Sequence, residues 1–398
     1  MIEGTDGLRG FPRADEALLD DPEALAANDP GRMLRAIASA GPQVREAMQL
    51  TAEVDLSALG DEGRPRAVVV AGVGTAGRTG DVLATVAGPR CPVPVVAHRS
   101  AGVPGWVGAA DVVIAVSASG RSPEALAAAD AAARRGARLV AVGAPDSPLQ
   151  SVAERARAPF VPVPRRAPAR SSLWALVVPV LMAGRALGLV RVTEADLVET
   201  ATRLDTEAEA GRESAESFVN PAKSLALDLA GSIPVIWGSS PLATVAAHRF
   251  ADMLSANARY PAVAGSLREV GRGRVGLLDG AFGGLGEQQR DIFADPEPDG
   301  EIATRLHVVL LRDGGLAGDE DNGEREPQEE QRAEATAAIA RRRGVRCTVL
   351  TAEGGCLLER LASLVAVPDF ASVYLALAHG LDPMAVAAVS ELKNALRG

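Results

Sequence analysis

The stretch Asp111–Leu126, DVVIAVSASGRSPEAL, decides the fold because it joins an apolar run, a serine-rich loop and a helix start. Val112–Val116 is a continuous run with a bias toward β-branched residues, which is typical of a strand buried on both faces of a parallel sheet. Pro123 and Glu124 suit a first helical turn. The sequence therefore predicts a strand, a tight loop and a helix in direct succession.

The loop of this stretch carries three serines that alternate with small residues, Ser117, Ser119 and Ser122. Backbone N–H groups and the positive end of the helix dipole make a helix N-terminus a favourable place for an anion. Serine hydroxyls and the nearby Arg121 would strengthen phosphate binding there. The competing interpretation is an ordinary strand-to-helix turn in which one serine is an N-cap.

Composition limits the class of protein. The 398 residues suffice for two α/β domains, and 47% hydrophobic with 23% charged residues is typical of a soluble globular protein. No apolar run reaches the roughly 18 residues of a membrane span. The acidic start lacks the features of a secretory signal, so we expect a cytoplasmic protein without a membrane partner. A net charge of -10 argues against a nucleic acid partner, because phosphate backbones select basic faces.

The cysteines and histidines do not form a metal-site pattern. Three cysteines, Cys91, Cys347 and Cys356, have no CxxC spacing and indicate neither a disulfide framework nor a zinc site. The four histidines are scattered along the chain. We therefore expect no bound metal.

A first α/β unit surrounds the opening stretch. The strand Ala67–Ala71 leads directly into Gly72–Gly77, a GxGxxG motif in the context of a dinucleotide-binding loop. The second strand, Val93–Ala97, is not followed by the acidic residue that would bind an NAD ribose. An NADP-dependent oxidoreductase stays open as a distant alternative through Arg99. A further strand is predicted at Arg138–Gly143.

A second strand, small-residue loop and helix begin at Ile233–Trp237 and Gly238–Pro241. Further strands are predicted at Val275–Leu278, Leu306–Leu311 and Cys347–Leu350. Strands that alternate with helices predict the α/β class, with two doubly wound parallel-sheet domains of three α/β/α layers. The predicted organisation is a helical lead-in (1–60), a first domain (61–192), a linker helix (193–220) and a second domain (221–398). The second domain holds an acidic loop (313–332) and a C-terminal helix that starts at Asp382-Pro383.

These features together resemble the sugar isomerase (SIS) domain proteins, and more narrowly the bifunctional phosphoglucose/phosphomannose isomerase family, over roughly residues 30–396. The family's phosphate loop reads approximately SYSGNTEET, and SASGRSPEA here keeps Ser117, Ser119 and Ser122 while Arg121 replaces the asparagine. The resemblance implies two SIS domains, a hexose 6-phosphate ligand, no cofactor and a homodimer. It also implies phosphate contacts at Gly74, Thr75 and Arg170, the last matching the arginine of a PRxAL context.

The second half shows where the chain departs from this family. Residues 247–263, AHRFADMLSANARYPAV, match a family stretch resembling AYRWKTQLNENAKAPAF without a gap, and the catalytic glutamate position holds Ala256. The family's catalytic histidine falls on Arg272, whereas its C-terminal lysine is kept as Lys393.

Those two replacements bear on activity. Aldose–ketose isomerisation needs a base that moves a proton between adjacent carbons and an acid/base group that opens the ring. Alanine transfers no proton, and arginine is always protonated. The first hypothesis is therefore a phosphosugar-binding protein whose catalysis is weakened or lost. The alternative is an active isomerase whose acid/base roles have moved to Glu269 or His248, with Lys393 polarising the sugar oxygens.

Overall fold

The computed structural model describes residues 14–61, 63–284, 305–314 and 325–395. The chain forms two compact units, and each is assembled from separate stretches of sequence. The first-sheet unit contains residues 33–209 and 352–366, and the second-sheet unit contains residues 1–32, 210–351 and 367–398.

The helices and strands alternate through most of the chain. The described helices are α1 Glu16–Leu19, α2 Pro22–Asn28, α3 Met33–Ala38, α4 Ala40–Ala52, α5 Ala58–Asp61, α6 Thr75–Ala87, α7 Pro123–Arg134, α8 Pro148–Arg155, α9 Leu173–Ala186, α10 Glu194–Ala210, α11 Pro221–Leu229, α12 Pro241–Met253, α13 Leu267–Val270, α14 Arg325–Arg342, α15 Leu357–Ala378 and α16 Ala387–Ala395. The described strands are β1 Val68–Ala71, β2 Val95–His98, β3 Val112–Ser117, β4 Arg138–Gly143, β5 Phe160–Pro162, β6 Ser232–Gly238, β7 Val263–Ser266, β8 Arg305–Arg312 and β9 Arg346–Thr351.

The first sheet is parallel and has the strand order β2-β1-β3-β4-β5. The apolar runs of β1 and β3 are buried along their whole length, as expected of central strands covered on both faces. Alternate strand residues such as Val69, Val113 and Leu139 share one core cluster with α7 and α8. Elsewhere in this unit, α6 packs against α9, and α9 packs against α4.

The second sheet is also parallel and repeats this arrangement with the order β7-β6-β8-β9. Trp237 on β6 and Val308 on β8 pack against the alanine face of α14, which includes Ala333 and Ala337. Two parallel-sheet α/β domains are therefore confirmed as the fold class. The exact predicted domain boundaries stay a prediction, although residues 352–366 group with the first sheet.

Some predicted elements differ from the observed ones. The strand predicted at Val275–Leu278 is wrong, because Arg274–Asp279 forms a 3-10 helix within a glycine-rich segment. Residues 325–332, assigned to the acidic loop, begin α14, and residues 315–324 of that loop lie outside the described chain. The strands β5 and β7 were not anticipated, since each is only three or four residues long.

The final helix starts at Ala387 rather than at the predicted Asp382-Pro383. The Arg259 guanidinium donates to the carbonyl of Asp382 at 2.7 Å and also to that of Ala385, so these carbonyls are held outside a helix. The Asp382 carboxylate accepts from the Met384 amide at 2.7 Å and forms a turn instead.

One described helix, α15, is long and apolar enough by length and composition to cross a membrane. Glu359, Arg360 and Asp369 interrupt its apolar run, so the sequence does not indicate a membrane span there. Of its most apolar window, 89% is buried inside the protein, which is the behaviour of a core helix.

Candidate functional site

The candidate site lies where the chain leaves β1 and β3 in opposite directions. These strands are neighbours, with Ala71 paired to Ala115, yet β1 connects to β2 on one side and β3 to β4 on the other. Open α/β sheets bind ligands in the crevice outside the carboxyl ends of strands at such a switch point. The glycine loop after β1 and the serine loop after β3 both begin at this edge of the sheet.

The glycine loop packs closely against β3. A Cβ atom on Gly72 would lie 3.0 Å from the Val116 carbonyl oxygen, and one on Gly77 would lie 2.8 Å from the Gly72 carbonyl oxygen. Gly74 has a φ of 59° and is exposed at the start of α6, directly before Thr75. The glycine pattern is thus explained by tight packing, and Gly74 and Thr75 lie at a helix N-terminus that opens on the crevice.

The residue on which the NADP alternative depends is already engaged. The Arg99 guanidinium donates to the Gly77 carbonyl at 3.2 Å and pairs with the carboxylate of Asp81. Both partners lie on α6, so Arg99 braces this helix. The contacts with α6 give Arg99 a structural role that needs no 2′-phosphate, and the NADP alternative stays a prediction.

The serine loop places its three hydroxyls in different surroundings. Ser117 is buried, and its hydroxyl oxygen accepts from the Ser122 amide at 3.3 Å, which closes the loop. The hydroxyl of Ser119 accepts from the Arg121 amide at 3.2 Å, and Ser119 is partly exposed. Gly120 turns the chain with a φ of 65°. Ser117 therefore shapes the loop, while Ser119 is accessible at its surface.

Ser122 occupies the N-cap position of α7 and is partly exposed. Within the residues that the structure describes, its hydroxyl makes no capping hydrogen bond to the helix. The ordinary N-cap interpretation requires that bond. The Ser122 hydroxyl therefore does not act as a structural cap of α7.

Two arginines of this unit are candidates for an anion contact, one within the serine loop and one in a turn beside α6. Arg121 is exposed and lines a groove of about 660 Å³ between α7 and α8, together with Ser147 and Gln150. Arg170 is half-buried in a short 3-10 turn, Ala169–Ser171, which packs against α6. Positive charge therefore lies near both the start of α7 and the side of α6.

The position of the family's catalytic glutamate lies in the second-sheet unit. Ala256 is partly exposed in a π turn, Leu254–Ala258, that continues α12. Next to it, buried Asn257 donates from Nδ2 to the Ser372 hydroxyl at 2.9 Å. Such turns are frequent at functional sites. The turn is a local feature that the sequence reading missed, and no residue pattern signals it.

The other catalytic candidates lie in the same unit. His248 is half-buried on α12, and Arg272 is exposed in the turn after α13. The Glu269 carboxylate on α13 is 66% exposed and lies 3.5 Å from the Arg274 guanidinium. Lys393 lies on α16, and its side chain is outside the described part of the structure. The phosphate-binding and catalytic candidates thus form two sets, one in each unit.

One group of possible metal ligands occurs among the described residues, Asp196, Glu199 and Cys356, with ligand atoms within 4.8 Å of one another. The Asp196 carboxylate accepts from the Thr193 amide at 2.8 Å at the start of α10. Burial raises the pKa of the Cys356 thiol, which disfavours the thiolate that a metal binds. The Asp196 carboxylate thus has a structural contact at the start of α10.

Comparison with known proteins shows which proteins this chain is similar to. Residues 218–396 match the family described as the bacterial phospho-glucose isomerase C-terminal SIS domain. A bifunctional phosphoglucose/phosphomannose isomerase from Caldicellulosiruptor bescii is 26% identical over 330 residues, which cover 83% of this chain and 89% of that protein.

Two solved structures share the fold. A hypothetical protein from Thermus thermophilus has a TM-score of 0.67 and 15% identity, covering 96% of this chain and 94% of its own. A protein described as a candidate phosphosugar isomerase from Silicibacter pomeroyi has a TM-score of 0.60 and 19% identity, covering 88% and 99%. Residues 218–396 therefore match the SIS domain of the bacterial phosphoglucose isomerase type, and most of the chain is similar to bifunctional phosphoglucose/phosphomannose isomerases.

Proposed function

We propose that this protein binds a hexose 6-phosphate and that its isomerase activity is weakened or lost. One observation carries the proposal: the Ser122 hydroxyl stands at the start of α7 without capping it, beside the accessible Ser119. Phosphate oxygens accept hydrogen bonds from such hydroxyls and from the first amides of a helix. The binding residues of the family are therefore better preserved than the catalytic ones.

The chemistry at the catalytic positions supports weak turnover. Ala256 offers no group that accepts a proton, and Arg272 carries a permanent charge that stabilises a bound anion but cannot act as a base. The loss of one general base lowers a rate by on the order of 10²–10⁴. A ligand would thus be held at the first sheet with little proton transfer.

The first experiment pairs a coupled isomerase assay with thermal-shift titrations, using glucose, mannose and fructose 6-phosphates. We expect ligand-dependent stabilisation with little or no turnover. The variants Ser119→Ala and Ser122→Ala should each weaken binding about tenfold or more, since a hydrogen bond to a charged group contributes about 1.5–3 kcal/mol. Ser214→Ala, at an exposed serine of the other unit, is the matched control. Unchanged melting with all three sugars would refute the proposal.

An active isomerase with relocated acid/base groups is the second candidate. The observation in its favour is the exposure of the Glu269 carboxylate, whose distance of 3.5 Å to Arg274 is longer than that of a hydrogen-bonded ion pair. If turnover is found, Glu269→Gln and His248→Gln should each be assayed. A role as general base requires that one of them abolish turnover while sugar binding persists.

We also propose that the chain is a homodimer, because the family's sites form between two copies. The apolar residues Val389 and Leu392, three positions apart on α16, are exposed in the single chain. Sedimentation equilibrium on purified protein should give twice the mass of 40.9 kDa. A single-chain mass at micromolar concentration would argue against this assembly.

A further inference from the structure

The second sheet repeats the switch point of the first. β6 and β8 are neighbours with Gly238 paired to Leu311, and their connections lead to opposite sides of the sheet. The chain passes from β6 through Ser239 and Ser240 into α12, a helix of 13 residues. In strand order this loop is equivalent to the glycine loop between β1 and α6, although its serines resemble those of the loop before α7. The equivalent of the serine loop after β3 is the segment after β8, which begins with Asp313.

Both serines of this second loop nevertheless form hydrogen bonds within the protein. The Ser240 hydroxyl donates to the Asp313 carboxylate at 2.5 Å and accepts from the Ala243 amide at 3.1 Å. The Asp313 amide in turn donates to the Ser239 hydroxyl at 3.1 Å. Both serines are only 6% exposed, whereas Ser119 and Ser122 of the first loop are partly accessible.

The charge at this loop also differs from that at the first. Asp313 follows β8 directly, so its carboxylate lies at the carboxyl edge of the sheet, next to the N-cap of α12. A negative charge there is stabilised by the helix dipole, as a bound phosphate would be. A phosphate approaching the same helix would meet this carboxylate at close range and be repelled.

We propose that Asp313 is the residue that prevents the second switch point from taking a phosphate, so that each chain binds one phosphosugar, at the first sheet. The inference rests on the proposed function for the first site. The Asp313 carboxylate takes the place of a phosphate at the start of α12. Its hydrogen bond from the Ser240 hydroxyl closes the loop.

The test is the number of phosphate groups bound per chain, measured by equilibrium dialysis with radiolabelled inorganic phosphate and with glucose 6-phosphate. The native chain should bind one. Asp313→Asn keeps the shape and removes the charge, and it should add a second, weaker site. Asp228→Asn, at an exposed aspartate of α11 in the same unit, should leave the number at one. Thermal melting of each variant verifies that it is folded.

A second variant keeps the test decisive if Asp313→Asn does not fold. The double variant Ser119→Ala/Ser122→Ala should bind no phosphate at a concentration that just saturates the native chain, because its first site is weakened about a hundredfold and the second loop remains sealed. One phosphate retained by this double variant, or two bound by the native chain, would overturn the role of Asp313 and leave the proposed function intact. No binding by the native chain would instead remove the proposed function. A folded Asp313→Asn chain without an added site would also contradict the inference.

Discussion

Ala256 is the residue at which the proposed loss of activity can be tested directly. It lies within the π turn that follows α12, beside Asn257, whose amide is fixed on Ser372. We expect Ala256→Glu combined with Arg272→His to raise isomerase turnover by about 10² or more, because a general base contributes on the order of 10²–10⁴. Ser255→Glu, which places the same charge at the adjacent exposed residue, should not.

The coupled assay with fructose 6-phosphate measures this gain. Retained sugar binding without turnover in the double variant would mean that the turn does not present residue 256 to the ligand. The proposal of a site that lost its acid/base groups would then need revision.

Asp111 opens the stretch that organises the first domain, and its carboxylate is buried. It accepts from the Arg66 guanidinium at 3.0 and 2.5 Å and from the Gly108 amide at 2.8 Å. The hydrogen bond from Arg66 holds the pKa of Asp111 below its usual value. We expect Asp111→Ala to lower the free energy of unfolding by about 2 kcal/mol, because the hydrogen bonds that the buried carboxylate accepts from Arg66 and Gly108 are lost.

This contribution of Asp111 depends on pH. Because the folded pKa is depressed, the stabilisation is complete above the unfolded pKa of about 3.9 and disappears as pH falls through the folded pKa. Urea denaturation at pH 7 and below pH 4 should therefore show a difference between native and variant chains that shrinks in acid. A stability difference that does not change with pH would show that the Asp111–Arg66 ion pair is not its cause.

Among the elements, α11 is tied to the segment that carries α1 by a buried lysine. The Lys223 ammonium donates to the carbonyls of Glu213 at 2.9 Å and Ala215 at 2.7 Å, and also to that of Leu19. It is 1% exposed, so its loss would leave three carbonyls without this donor. Lys223→Met should lower the free energy of unfolding by about 3 kcal/mol, measured by urea denaturation. Lys223→Arg, which keeps the charge, should lose less.

Burial also lowers the pKa of Lys223. Between this folded pKa and the unfolded value of about 10.4, the unfolded chain binds more protons, so the lysine's contribution to stability rises with pH. The gap between the native chain and Lys223→Met should therefore widen as pH is raised toward 10. A gap that narrows would contradict the lowered pKa.

The long elements could be predicted from the sequence because their signals are local. The apolar runs of β1, β3 and β4 and the proline starts of α7 and α12 each specify an element without reference to distant residues. The short strands β5 and β7 are defined by pairing with a neighbour, which the sequence does not show. The late start of α16 depends on Arg259, more than a hundred positions earlier.

The same division between local and distant signals applies to the candidate sites. The serines of the first loop were identified because they follow a strand and precede a helix in the sequence. The sequence predicts an acidic loop at Asp313. No neighbouring residue indicates that its carboxylate accepts a hydrogen bond from Ser240, 73 positions away. Sequence motifs do not predict which side chains form tertiary hydrogen bonds.

At the scale of the molecule, neither unit is a continuous piece of chain. The first-sheet unit includes residues 352–366, whose Glu359 pairs with Arg203 of α10 at 3.2 Å. A fragment of residues 33–209 lacks this partner and its apolar neighbours. We expect the fragment to melt at a lower temperature and less cooperatively than the full chain, by circular dichroism. An equal midpoint and slope would show that residues 352–366 do not contribute to the unit.

The bond between Ser240 and Asp313 also bears on how such a chain can change over generations. An aspartate codon becomes an asparagine codon through the replacement of one nucleotide. The gene for the closed loop and a gene for an open loop thus differ by one nucleotide. Both encode the strand β6, the two serines and α12. A lineage that carries this protein could acquire a second place for a ligand, or close it again, without any insertion or rearrangement of its gene.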